Sequence, residues 1–123
     1  MKNKKREDRR RTVRVRKPLD VEYSVSSRRT PSWAAGWLCD ISETGMCMVS
    51  RPLPGRTGKL TVRIRVPIRP ARTLTCGARI IAQTLLERST ALIRIEFDPM
   101  DDRTRRLLRE YIAWLLIKER GVL

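Results

Sequence analysis

Residues 59 to 66 read KLTVRIRV, with Leu60, Val62, Ile64 and Val66 at every second position and Lys59, Thr61, Arg63 and Arg65 between them. Successive side chains of a strand point to opposite faces, so this run buries its apolar half only as a strand with one wet face. The pattern recurs in Pro18 to Ser26, where Leu19, Val21, Tyr23 and Val25 alternate with Asp20, Glu22 and Ser24. Trp33 to Cys39 and Met46 to Ser50 predict two more strands, and Thr73 to Leu86 a long one that bends at Gly77. Ser89 to Phe97 predicts the last strand. Ser27 to Ser32, the Pro- and Gly-bearing Arg51 to Gly58, and Pro67 to Pro70 punctuate these runs as loops. Short sequential strands separated by turns predict an antiparallel barrel or sandwich rather than a parallel sheet.

The period then changes. Asp98-Pro99 ends the last strand, and Asp101 or Asp102 is placed to cap a helix. From Arg103 to Glu119 the apolar residues Leu107, Leu108, Tyr111, Ile112 and Leu115 share one helical face, and Gly121 is the expected C-cap. Trp114 and Ile117 fall off that stripe, which predicts a second apolar side against the barrel or against another subunit.

At 123 residues the chain suits one domain. A domain of this size buries enough surface to need neither disulfide nor metal. Its charge is the unusual property: 28 Lys and Arg against 13 Asp and Glu, a net +15. Such a chain attracts anions, whether nucleic acid, nucleotides or an acidic membrane. Residues 1 to 17 hold ten basic and two acidic residues, a net +8. Residues 1–8 are expected to form a flexible basic tail, followed by one domain over 9–123, with its barrel at about 18–97 and its helix at about 101–119.

There is no histidine, which removes the commonest general base and metal ligand, and with them the Ser-His-Asp, Cys-His and H-E-x-x-H schemes. Cys39, Cys47 and Cys76 form no C-x-x-C, so no metal site is expected. The odd cysteine count and the lack of an apolar segment after the basic N-terminus predict reduced thiols in a cytoplasmic protein. No apolar run approaches the roughly 18 residues that span a bilayer. No catalytic constellation emerges, and an enzyme is not expected.

Between two strand-like runs lies Asp40-Ile41-Ser42-Glu43-Thr44-Gly45. Asp40 supplies a carboxylate acceptor, Ser42 a hydroxyl that donates and accepts, and Gly45 a residue that tolerates positive φ or a close neighbour. The segment reads either as a polar cradle or as a turn whose Asp and Ser satisfy only their own backbone. Arginines on an arm beside such a turn could pair with phosphates, present two N–H groups to guanine, or stack on a base.

Arg10-Arg11-Thr12-Val13-Arg14 is an R-x-x-x-R, and Asp40 to Gly45 is a D-x-S-x-x-G. In that order and at that separation, on a β-then-α plan, they make the chain from about Arg9 to Leu116 resemble the PilZ domain, the bacterial receptor module for cyclic di-GMP. Neither motif is specific alone, since Arg6 and Arg10 also satisfy the first. The resemblance implies a mainly β fold, an antiparallel six-stranded barrel with a basic N-terminal arm and a C-terminal helix. It implies no cofactor, with cyclic di-GMP as ligand. Arg10 and Arg14 would hold phosphates and contact guanine, Asp40 would accept from a guanine edge, Ser42 would bond to base or phosphate, and Gly45 would leave space. Arg9 and Arg11 are supporting candidates. Thr44 and Arg94 stand where the family often has Gly, which bears on pocket shape and on whether one ligand or a stacked pair binds.

The resulting expectation is a bacterial receptor or adaptor whose arm orders on binding and signals to an effector protein in motility, biofilm or exopolysaccharide control, with a homodimer possible. Two other readings stay open. One is a nucleic-acid-binding barrel, disfavoured because few aromatics lie in the β region and Tyr23 and Phe97 sit in apolar registers. The other is a PilZ-type adaptor that binds no nucleotide.

Overall fold

Each of the six strands among the described residues finds a partner on both sides. In the computed structural model, which describes residues 12–25, 32–53, 58–68 and 70–119 (backbone alone at 15–18), six strands close on themselves. They are β1 (Val13–Val25), β2 (Ala34–Ile41), β3 (Gly45–Ser50), β4 (Lys59–Val66), β5 (Arg72–Glu87) and β6 (Thr90–Phe97). The order around the barrel is β1-β2-β3-β6-β5-β4, with every pair antiparallel. Closure removes the sheet edges that a sandwich would have to protect. One helix follows, α1 (Asp102–Glu119), packed against β1 and β5.

The alternating residues fill the interior as their period requires. Leu60, Val62, Ile64 and Val66 of β4 are all at most 2% exposed, beside Leu74, Ile93 and Ile95. Tyr23 and Phe97 are core residues too. Burying one such aliphatic side chain stabilises the fold by about 1.5 to 3 kcal/mol. From α1, Leu108, Tyr111, Ile112 and Leu115 enter the same core. Trp114, off that stripe, stacks on Tyr111 with ring centroids 6.1 Å apart and lies under the Lys118 ammonium. Ile117 remains exposed. Asp101 is the N-cap, its Oδ1 accepting from the Thr104 amide at 2.7 Å. The Thr104 side chain and then its amide hold the Asp101 carboxyl below its ordinary range.

Three points differ from the sequence reading. The first strand starts at Val13, not Pro18, because Val13 is already a core residue. β2 continues through Asp40 to Ile41, so the polar turn shrinks to 42–44. The long strand keeps its register past Gly77, paired with Thr61, and breaks at Ile81 instead. A Cβ at Gly77 would lie 2.5 Å from Asp98 Oδ2, the end of a side chain that can move aside. The tail at 1–8, the loop at 26–31 and Gly121 lie outside the described residues.

Three irregularities fall close together. Residues 15–18 of β1 stand opposite the single residue Cys39. Cys39 is itself the extra residue of a bulge between the Leu38–Met48 and Asp40–Cys47 pairs. Ile81 is the extra residue between Ile80–Ile95 and Ala82–Arg94. Bulges re-aim side chains and gather beside functional sites. By contrast, the β1–β4 and β4–β5 pairings run without a shift.

Candidate functional site

The three irregularities flank one row of residues. Reading around the barrel, Arg14 of β1 faces Asp40 of β2, Asp40 faces Cys47 of β3, and Cys47 faces Arg94 of β6. Directly opposed residues project to the same side of a sheet. The neighbouring row, Val13–Ile41–Met46–Ile95, is wholly buried, so this one forms the outer face. The Cys39 bulge makes this possible. Leu38 and Ile41 both point inward although three positions apart, and the extra residue between them turns Asp40 outward.

Below the row the turn closes tightly. The Ser42 amide donates to the Gly45 carbonyl at 2.8 Å, and the Thr44 amide donates to Ser42 Oγ at 3.2 Å. Ser42 Oγ donates in turn to the Gly45 carbonyl at 3.3 Å, with Thr44 Oγ1 at 3.2 Å. Ser42 therefore organises its own turn. Asp40 does not: among the described residues its carboxylate has neither hydrogen bond nor ion pair. The turn is fixed from both sides, since the Phe97 amide donates to the Thr44 carbonyl at 2.8 Å and Arg109 Nε of α1 donates to Glu43 Oε1 at 2.9 Å.

Gly45 does not use the left-handed region. A Cβ at this position would lie 2.2 Å from the Ile95 carbonyl oxygen. The space it leaves is filled by the backbone of β6, and that close approach lets β3 pair with β6 at the turn itself.

Asp40, Ser42 and Gly45 share a shallow cavity of about 110 Å³ with Thr12, Ile81 and Arg94. That is well below the roughly 300 to 1,000 Å³ of a typical small-molecule pocket, so it has room for a single chemical group rather than a whole small molecule. Arg14 stands exposed at the rim, in register with Asp40, and Thr12 reaches the cavity instead. Arg9, Arg10 and Arg11 lie outside the described residues. A larger groove of about 690 Å³ between β5 and α1 gathers none of the motif residues, and Arg72 on its wall is tied to Glu110 at 2.7 Å.

Arg94 is the residue whose placement the sequence did not reveal. Its signal was the alternation Ile93-Arg94-Ile95, which points it outward, but only the register sets it beside Asp40. Cys47 sits between those two charges. Burial first, then Asp40, pushes its thiol up to about 11, against the opposing pull of Arg94. Burial also raises Cys39, and it raises Cys76 to about 12, so none of the three is a thiolate nucleophile at neutral pH. Among the described residues no group of three Cys, Asp or Glu could hold a metal ion, and no helix is long and apolar enough to cross a membrane.

With this geometry in hand, comparison with known proteins is informative. The family model described as PilZ domain matches residues 8–114. Among solved structures, the PilZ domain with c-di-GMP of YcgR from Escherichia coli superposes with a TM-score of 0.68 at 15% identity, covering 92% of this chain and 94% of that one. The Bacillus subtilis inhibitor of motility MotI/DgrA gives a TM-score of 0.66 at 20% identity over 89% of this chain. The K. pneumonia MrkH–c-di-GMP complex gives 0.68 at 13% identity over 94%. The chain spans about half the length of the last two, 53% and 55% respectively. At these identities the likeness is one of fold. Comparison with curated protein sequences gives no match.

Proposed function

The chain belongs to the PilZ domain family, and on that premise we propose that it is a receptor for cyclic di-GMP that acts by binding and switching, without covalent chemistry, in the bacterial cytoplasm. The observation that carries the reading is the Asp40 carboxylate, unpaired among the described residues, held outward by a bulge, in register with Arg14 and sharing one cavity with Ser42 and Gly45. A carboxylate without a partner among the described residues suits the N–H edge of guanine, and a guanidinium beside it suits phosphate. Solved structures of YcgR and MrkH with c-di-GMP lend support from the same fold.

In this reading Arg10 and Arg14 take the phosphates and a guanine face, Asp40 takes a guanine edge, and Ser42 and Gly45 keep the turn in shape. Arg9 and Arg11 assist. Ligand binding neutralises the basic segment before β1 and pins it against the turn, which changes the surface offered to an effector protein. The Glu43–Arg109 pair ties the turn to α1 and offers the helix as a second element that feels the ligand.

The test is isothermal titration of cyclic di-GMP into the purified protein at two salt concentrations, with GTP and a short oligonucleotide as controls. Saturable micromolar or tighter binding, selective over GTP and weakly dependent on salt, is expected. Heat from the oligonucleotide alone, vanishing as salt rises, would instead mark a polyanion grip. No heat from any of the three would leave an adaptor that binds no nucleotide.

A further inference from the structure

Arg94 is exposed on the outer wall of β6, and among the described residues no acid pairs with it. Of the acids that line its cavity, Glu96 is held by Arg79, and Asp40 has no ion pair among the described residues. Its register partner across β5 is the small Ala82, next to the Ile81 bulge, so no side chain opposite it fills the space it projects into. It lines the same cavity as Asp40 and Ser42. Three strand spacings of about 4.8 Å put its Cα roughly 14 Å from that of Arg14, with Asp40 and Cys47 between. Two guanidinium groups therefore stand at either end of a row whose middle is a single carboxylate and a buried thiol.

We propose that Arg94 is a further ligand-binding residue, which holds one phosphodiester of the cyclic dinucleotide from the β6 side while Arg14 serves the other from the β1 side. The inference rests on the receptor reading above. A cyclic dinucleotide carries two phosphodiesters and two purines, so a ligand laid along the row meets a cation at each end and the carboxylate between them. The guanidinium fork suits phosphate through paired N–H donors. The bulges at Cys39 and Ile81 fit this role, since both leave the row's outward direction intact while the strands on either side change register. The opposed influences of Asp40 and Arg94 on the Cys47 thiol place both charges close to the same point.

The test compares Arg94→Ala, Arg94→Lys and Arg65→Ala with the unsubstituted protein by isothermal titration of cyclic di-GMP, with circular dichroism to confirm the fold. Arg65 is an exposed arginine of β4, away from the row. Arg94→Ala is expected to weaken binding at least tenfold, as for loss of a charged hydrogen bond. Arg94→Lys is expected to recover part of that loss, because a phosphate accepts an ammonium, and Arg65→Ala to leave affinity within twofold. Arg94→Ala binding within twofold of the unsubstituted protein would overturn the assignment while the receptor reading stands. Failure of the unsubstituted protein to bind would overturn both.

Discussion

The two sides of this barrel are built differently. On one side β1, β4 and β5 pair without a register shift, and several of the outward charges there are paired. Glu22 faces Arg63 and bonds to it at 3.0 Å, while Arg63 also lies 3.7 Å over the Trp33 ring. Lys59 reaches Asp98, and Arg72 reaches Glu110 on the helix. On the other side the β1–β2, β2–β3 and β5–β6 pairings each slip. There Arg14, Asp40 and Arg94 share a row with no partner among the described residues. The regular wall uses its charges to finish a surface. On the irregular wall the register shifts accompany an outward row that holds Arg14, Asp40 and Arg94. Strain and unpaired polar groups concentrate where a function requires them.

This contrast predicts a separation of effects. The largest belongs to the interior of the regular wall. Ile64→Ala, at a fully buried position, should cost about 2 to 5 kcal/mol of stability in chemical denaturation, while the protein that remains folded keeps its affinity for cyclic di-GMP. Arg10→Ala and Arg14→Ala should do the reverse, each losing about 2 to 4 kcal/mol of binding with little change in melting temperature. Asp40→Ala should also weaken binding while the fold survives. If it unfolds the domain instead, the turn is structural and the cradle reading fails.

Gly45→Ala should damage both properties, because its Cβ would meet the Ile95 carbonyl and push on the strand that carries Arg94. About 2 kcal/mol of stability is expected to go, together with measurable affinity. A variant that loses neither would show that β6 yields there at no cost. Smallest is Glu22→Gln, which breaks an exposed pair on the regular wall. It should change stability by less than about 1 kcal/mol and leave binding untouched, so a clear loss of affinity would mean that the two walls are not independent.

How much of this was legible in advance follows the same division. β4 could be read from KLTVRIRV almost to the residue, because an unbroken alternation fixes both type and facing. The helix was equally plain and its cap was narrowed to Asp101 or Asp102, of which Asp101 caps it, since a change of period and a capping side chain are local properties. The polar turn was located, but its limits were not. Asp40 is polar and was read as turn, whereas the strand carries it because Cys39 bulges beneath it. A bulge is decided by pairing with another strand, and one sequence shows no pairing. For the same reason Gly77 looked like the bend and Ile81 did not, although the register breaks at Ile81. Gly45 was expected to tolerate a close neighbour, and the neighbour is the backbone of β6, which one sequence could not name. Arg94 stood out in the sequence only as a residue in place of the family's frequent Gly, and its alignment with Asp40 depends on three strands at once.

The most direct test of the two-wall account is an amide NMR titration of the labelled protein with cyclic di-GMP. The account predicts that saturable shifts concentrate at Arg14, at Asp40 to Gly45, and at Ile81 and Arg94, with the amides of Lys59 to Val66 nearly unmoved. Shifts centred on β4 or on the groove between β5 and α1, with the Asp40 row silent, would contradict it.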